Sequence, residues 1–134
     1  MFDRLTSIAS LLAVASVLSA AAAAAAECPT LDGAKRLELL DRAPTCDKSM
    51  ALFEVCSYGA SGDVGLSAVV IKKCEGGFLA KLSAAQRRQY DRERQHCARK
   101  YQNETGTMYV SFAAFCAAEL AQTYVHRYSS GVKP

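Results

Sequence analysis

Six cysteines, two histidines and a cluster of arginines are the residues of this chain whose types could do chemistry, and their spacing decides which chemistry. The cysteines stand at positions 28, 46, 56, 74, 97 and 116, and no two of them form Cys-x-x-Cys. His96 and His126 are the only histidines, and neither falls in a cysteine/histidine cluster with metal-ligand spacing, so no metal is expected. An even number of cysteines in a short exported chain is most simply read as three disulfides. Bridged sulfur is not a nucleophile, which also removes thiol catalysis.

The remaining candidates for catalysis do not assemble into a motif. His96 is followed by Cys97, whereas the small helical phospholipases that combine disulfides with a core histidine need an aspartate there and a glycine-rich calcium loop. There is no Gly-x-Ser-x-Gly, no His-Glu-x-x-His and no phosphate-cradling loop. Asp91 and Glu93 lie two apart, which on a helix points them to different faces. The expectation is a protein without catalytic residues or cofactor, and therefore not an enzyme.

Charge points to binding instead. The net charge of +3 is too small to argue for nucleic acid or membrane, but it is unevenly spread. Glu27 to Asp63 carries seven acids against four bases, whereas Lys81 to Lys100 carries seven bases against only Asp91 and Glu93. The candidate partner-binding residues are Arg87, Arg88, Arg92 and Arg94 in the basic segment, with Asp63 in the acidic one. The plainer reading of the same run is a solvated helix face partly neutralised by local ion pairs.

The elements that must position these residues begin after an apolar leader. Met1 to Arg4 reads as a short n-region, Leu5 to Leu18 as an apolar h-region, and Ala24-Ala25-Ala26 as a signal-peptidase site, which places residues 1–26 in a signal peptide. The rival reading is an uncleaved anchor, since no charge falls between Arg4 and Glu27. The expected mature chain is one small domain over 27–128 with a loose tail at 129–134, in the periplasm or secreted. Its core is modest for its size, and disulfides worth about 2 to 4 kcal/mol each would supply what the core lacks.

Within the domain the apolar periodicity is helical, and an all-α array of about five helices is the expected architecture. Leu31 to Arg42 carries Leu37 and Leu40 on one face and stops before Pro44. Asp47 can cap a short helix ending near Tyr58-Gly59. Asp63 starts another through Leu66, Val69, Val70 and Cys74, until Gly76-Gly77 breaks it. Val64 to Ile71 is valine-rich enough for a strand, but nothing nearby offers it a partner. Ser83-Ala84-Ala85-Gln86 is a capping box opening a helix to about Tyr101. From Thr107 to Tyr128, Phe112, Phe115, Cys116, Leu120, Thr123 and Tyr124 recur at helical steps as one buried stripe.

A turn around Asn103 to Gly106 would fold the last two helices into an antiparallel hairpin and bring Cys97 beside Cys116. Cys46 and Cys56 flank a short helix and pair in this reading, which leaves Cys28 with Cys74. Six cysteines allow fifteen connectivities, and spacing alone does not choose among them.

From Ser49 onward the order of signals resembles the lysozyme-inhibitor LprI-like family of small exported bacterial helical proteins. The residues that carry the likeness are Cys56, Asp63 and Leu66, Leu82, Ala85, Gln86 and Arg87, Cys97, Gly106 and Thr107, and Cys116 with Leu120. The chain departs from the family pattern at Ser67, Val70, Gln89 and Arg94, and Cys28 and Cys74 are additional. The resemblance implies a non-catalytic envelope or secreted protein that binds and inhibits a lysozyme-type muramidase, with an arginine inserted against the catalytic carboxylates and the acidic surface steering association. The alternative is a disulfide-stapled interaction or scaffold protein that binds another protein or an anionic polymer through the basic helix.

Overall fold

The computed structural model describes residues 26–129, which form five helices: α1 Gly33–Arg42, α2 Cys46–Cys56, α3 Asp63–Phe78, α4 Ala84–Lys100 and α5 Thr107–Ser129, with a 3₁₀ turn over Leu79–Lys81. There is no strand among the described residues, and the valine-rich stretch lies wholly within α3. The expected signal peptide, apart from Ala26, and the tail beyond Ser129 lie outside the described residues. No described helix is long and apolar enough to cross a membrane.

Local chemistry explains where most helices begin. The carboxylate of Asp32 accepts the Lys35 amide ahead of α1, and the Thr45 hydroxyl accepts the Lys48 amide ahead of α2. Thr45, rather than Asp47, is therefore the cap of α2. Ser83 and Gln86 form the complete capping box of α4, in which each side chain satisfies the other's backbone amide. Gly106, at φ +113°, makes the turn into α5 in a conformation that a side chain would strain.

α3 is the centre of the molecule, with α1, α2 and α5 packed around it and α4 laid on α5. Its course corrects one expectation: the helix runs through Gly76 and Gly77 to Phe78 instead of breaking there. The reason at Gly77 is proximity, since a methyl group placed there would sit 2.6 Å from Cγ2 of Val125 on α5. The same closeness shows where the Ser67 hydroxyl donates across to the Ala114 carbonyl at 2.7 Å.

That close packing also corrects the expected stripe on α5. The buried positions are Ser111, Ala114, Ala118, Ala121 and Tyr124, whereas Phe112 is 42% exposed and Thr123 is exposed. Small residues let the backbones of α3 and α5 approach, and the larger side chains are displaced to the flanks. On one flank Phe115 stacks on Phe53 of α2 with ring centroids 4.3 Å apart. On the other, Tyr124 meets Tyr90 of α4 at 4.7 Å, and Phe78 completes the cluster. In α1 the inward position belongs to Arg36 and Leu40, while Leu37 is 39% exposed.

Three disulfides join the helices: Cys28–Cys56, Cys46–Cys74 and Cys97–Cys116. The last is the expected bridge between the final two helices, where Tyr101 also meets Tyr109 and Tyr90 meets Tyr124. The first two replace the expected Cys46–Cys56 and Cys28–Cys74. Cys46 and Cys56 are the first and last residues of α2, an 11-residue helix, so about 15 Å of helical rise separates them. Each instead reaches outward, Cys46 to α3 and Cys56 back to the N-terminal segment, and the two loops interlock. Arg36 reinforces the second of these, donating to the carbonyls of Thr30 and Cys56 while its guanidinium lies over the Tyr58 ring at 4.0 Å.

Candidate functional site

α4 is the natural place to look for a binding surface, because it is attached along one side only. Its buried positions are Tyr90 and Cys97, seven residues apart, and its ends are fixed by the capping box and by the Cys97–Cys116 bridge. Everything on the far side faces solvent.

The fold divides the four candidate arginines into two pairs. Arg87 and Arg94 turn back toward α3: Arg87 donates to the Leu79 carbonyl at 2.7 Å, and Arg94 pairs with Glu75 at 3.0 Å. Arg88 and Arg92 point away from the body of the protein, and both are exposed. Arg99, seven residues beyond Arg92 and on the same face, extends their line and donates to the Gln95 amide oxygen. Among the described residues no carboxylate pairs with any of these three. The result is an unneutralised stripe of three guanidinium groups along about 16 Å of helix. The stripe, including Arg99, was not singled out by the residue types alone, although the helical spacing of 88, 92 and 99 carries it.

Asp63, expected on an acidic surface, is not on a surface at all. It is fully buried, and its carboxylate accepts the amides of Tyr58, Gly59 and Ala60 at 2.6, 2.9 and 3.2 Å and the Ser111 hydroxyl at 2.6 Å. Four donors around one carboxylate make it the organiser of the α2–α3 loop, with no capacity left for a partner. The other acids of the first half, Asp32, Glu38, Asp41, Asp47 and Glu54, are exposed. Asp47 is engaged with α5, accepting from the Gln122 amide at 2.7 Å and lying 2.6 Å from Nε2 of His126. The Gln122 hydrogen bond, with His126 acting in the same sense, holds its carboxyl below the ordinary aspartate range.

Two tyrosines in the core carry perturbed hydroxyls. Burial raises Tyr90, and the negative charge of Glu75, which accepts its hydroxyl at 2.9 Å, raises it further. Burial also pushes Tyr124 up to about 12, helped by its hydrogen bond to Glu93. Both hydroxyls therefore stay protonated and act as structural donors.

Between α3 and α4, over the first turns of α5, lies a cleft of about 480 Å³. Val64, Ala68 and Ile71 form its α3 wall, Arg94, Ala98 and Tyr101 its α4 wall, and Tyr109, Val110 and Ala113 its α5 side. A smaller hollow of about 390 Å³ brings His96 near Glu93, Glu119 and the Cys97–Cys116 bridge. No group of three metal-ligating side chains exists among the described residues.

No family model matches the chain, and no curated protein and no solved structure is similar to it. The likeness to the LprI-like family rests on the residue pattern given above.

Proposed function

We propose that this protein is an exported, non-catalytic binding protein that uses the outward arginine stripe of α4 to engage an anionic partner. The observation that carries the reading is the charge arrangement: Arg88, Arg92 and Arg99 are exposed, share one face and have no carboxylate partner among the described residues. Like charges at i and i+4 disfavour the helix slightly, so the stripe does nothing for stability, while it would raise the encounter rate with a negative surface. The bridge at Cys97 ties α4 to α5 and restrains that face, which lowers the entropy lost on binding. Three disulfides require an oxidising compartment, which together with the leader supports a periplasmic or secreted location.

Lysozyme-type muramidases are the first partner to test, because glycosidases of that kind carry a pair of carboxylates in a cleft and the family resemblance points to them. Anionic envelope polymer is the second, favoured by the linear run of the stripe. The oxidised protein is titrated into a muramidase assay on cell-wall substrate, beside an Arg88→Gln/Arg92→Gln/Arg99→Gln variant. Stoichiometric inhibition that the triple variant lacks establishes the inhibitor reading. No inhibition, with salt-sensitive retention on an anionic polysaccharide that the variant loses, establishes the polymer reading. Neither behaviour in a folded sample refutes the role of the stripe.

A further inference from the structure

The cleft between α3 and α4 is separate from the arginine stripe and has its own chemistry. α3 and α4 are bridged close to the turn that joins them: the Tyr90 hydroxyl and Arg94 Nη1 both donate to the same oxygen of Glu75, at 2.9 and 3.0 Å. Beyond that bridge the cleft opens toward Val64 and Gln102. Its volume of about 480 Å³ lies within the usual range for small-molecule sites, roughly 300 to 1,000 Å³, and its walls are mostly apolar.

The polar groups are distributed unequally along it. Arg94 lines the cleft and Glu75 does not, so Glu75 holds the guanidinium from behind through one nitrogen. A guanidinium has five N–H donors, and one is committed to Glu75, which leaves donors for a ligand. Val64 of the α3 wall and Val110 of the α5 side are 50% and 41% exposed, which is costly apolar surface that a hydrocarbon chain would cover. Glu104, an exposed residue that also lines the cleft, disfavours a second negative charge beside it.

We propose that this cleft binds a monocarboxylate with a medium-length hydrocarbon tail, its head on Arg94 and its tail along Val64, Ala68, Ile71 and Val110. The carboxylate takes N–H donors of Arg94 that Glu75 leaves free, and the tail replaces water over the two exposed valines. Charge and apolar surface occupy one cleft in the order such a ligand requires.

The test uses octanoate, 1-octanol and octylammonium as probes of the oxidised protein, with binding read from amide and methyl chemical shifts. Octanoate is expected to bind one to one, to move the signals of Val64, Ala68, Ile71 and Val110, and to bind about tenfold tighter than octanol. Arg94→Gln should erase that preference, and Ala98→Trp, which fills the cleft from an exposed position, should abolish binding. Glu75→Gln breaks the same α3–α4 bridge while leaving Arg94 charged, so it should bind octanoate at least as well as the unaltered protein. Arg88→Gln/Arg92→Gln/Arg99→Gln should leave octanoate binding unchanged. Equal affinity for the three probes, equal losses in Arg94→Gln and Glu75→Gln, or shifts mapping away from the cleft would each overturn the proposal.

Discussion

The Ser111 hydroxyl on α5 donates to the Asp63 carboxylate at the start of α3 across 2.6 Å, joining residues 48 apart in sequence. Both are buried, Asp63 completely. The same carboxylate orders the loop after α2 through three backbone amides, so one side chain ties together α2, α3 and α5.

Asp63→Asn keeps the shape but turns an amide toward groups that are themselves donors. We expect a loss of about 2 to 4 kcal/mol, with Ser111→Ala costing about 1.5 to 3 kcal/mol, because hydrogen bonds to a buried charge are among the stronger ones. Urea unfolding followed by helical signal measures both. Losses below about 0.5 kcal/mol would mean the carboxylate is solvated.

The adjacent glycines of α3 should respond in opposite directions to alanine. At Gly77 the added methyl meets Val125, so Gly77→Ala should destabilise by about 1 to 3 kcal/mol. At Gly76 nothing lies within 4 Å of the new atom, and the helical preference of alanine should stabilise by about 0.5 to 1 kcal/mol. Thermal melts of the two variants against the parent separate the cases; the same sign at both positions would contradict the α3–α5 packing.

Non-reducing digestion followed by mass spectrometry should recover peptides linking Cys28 to Cys56, Cys46 to Cys74 and Cys97 to Cys116. Loop lengths of 28, 28 and 19 residues place each single bridge at about 3 to 4 kcal/mol on the chain-entropy scale. Replacing Cys46 and Cys74 by alanine should therefore cost far more than any surface change. A Cys46–Cys56 peptide would refute the crossed arrangement.

Alkaline titration should show Tyr124 ionising near 12 and Tyr90 resisting as well. A hydroxyl whose folded value is raised holds its proton while the unfolded chain loses its own, so stability falls as pH rises from about 10 through the folded value. Tyrosinate absorbance checks this: Tyr124→Phe should remove a late step and flatten the decline in stability above pH 10. An unchanged profile would place Tyr124 in contact with water.

What was legible in the sequence was local. Helical class follows from apolar spacing, Ser83 and Gln86 announce α4 through two mutual hydrogen bonds three residues apart, and six cysteines behind an apolar leader announce three bridges. Cys97 and Cys116 were readable because a short turn separates their helices. Tertiary packing decided the rest. Cys46 and Cys56 look like a pair until the rise of α2 carries them to opposite ends of a helix, each meeting another segment. Phe112 and Asp63 show the same limit: the first was expected inside and the second outside. Close approach of α3 to α5 reserves the interface for serine and alanine, and four convergent donors make burial of a carboxylate affordable. The arginines of α4 were visible as a basic run, but only the orientation of that helix on α5 turns Arg94 into the cleft and Arg88 and Arg92 toward solvent. Helix formation depends on neighbours three and four residues away, whereas which face is covered depends on partners dozens of residues distant.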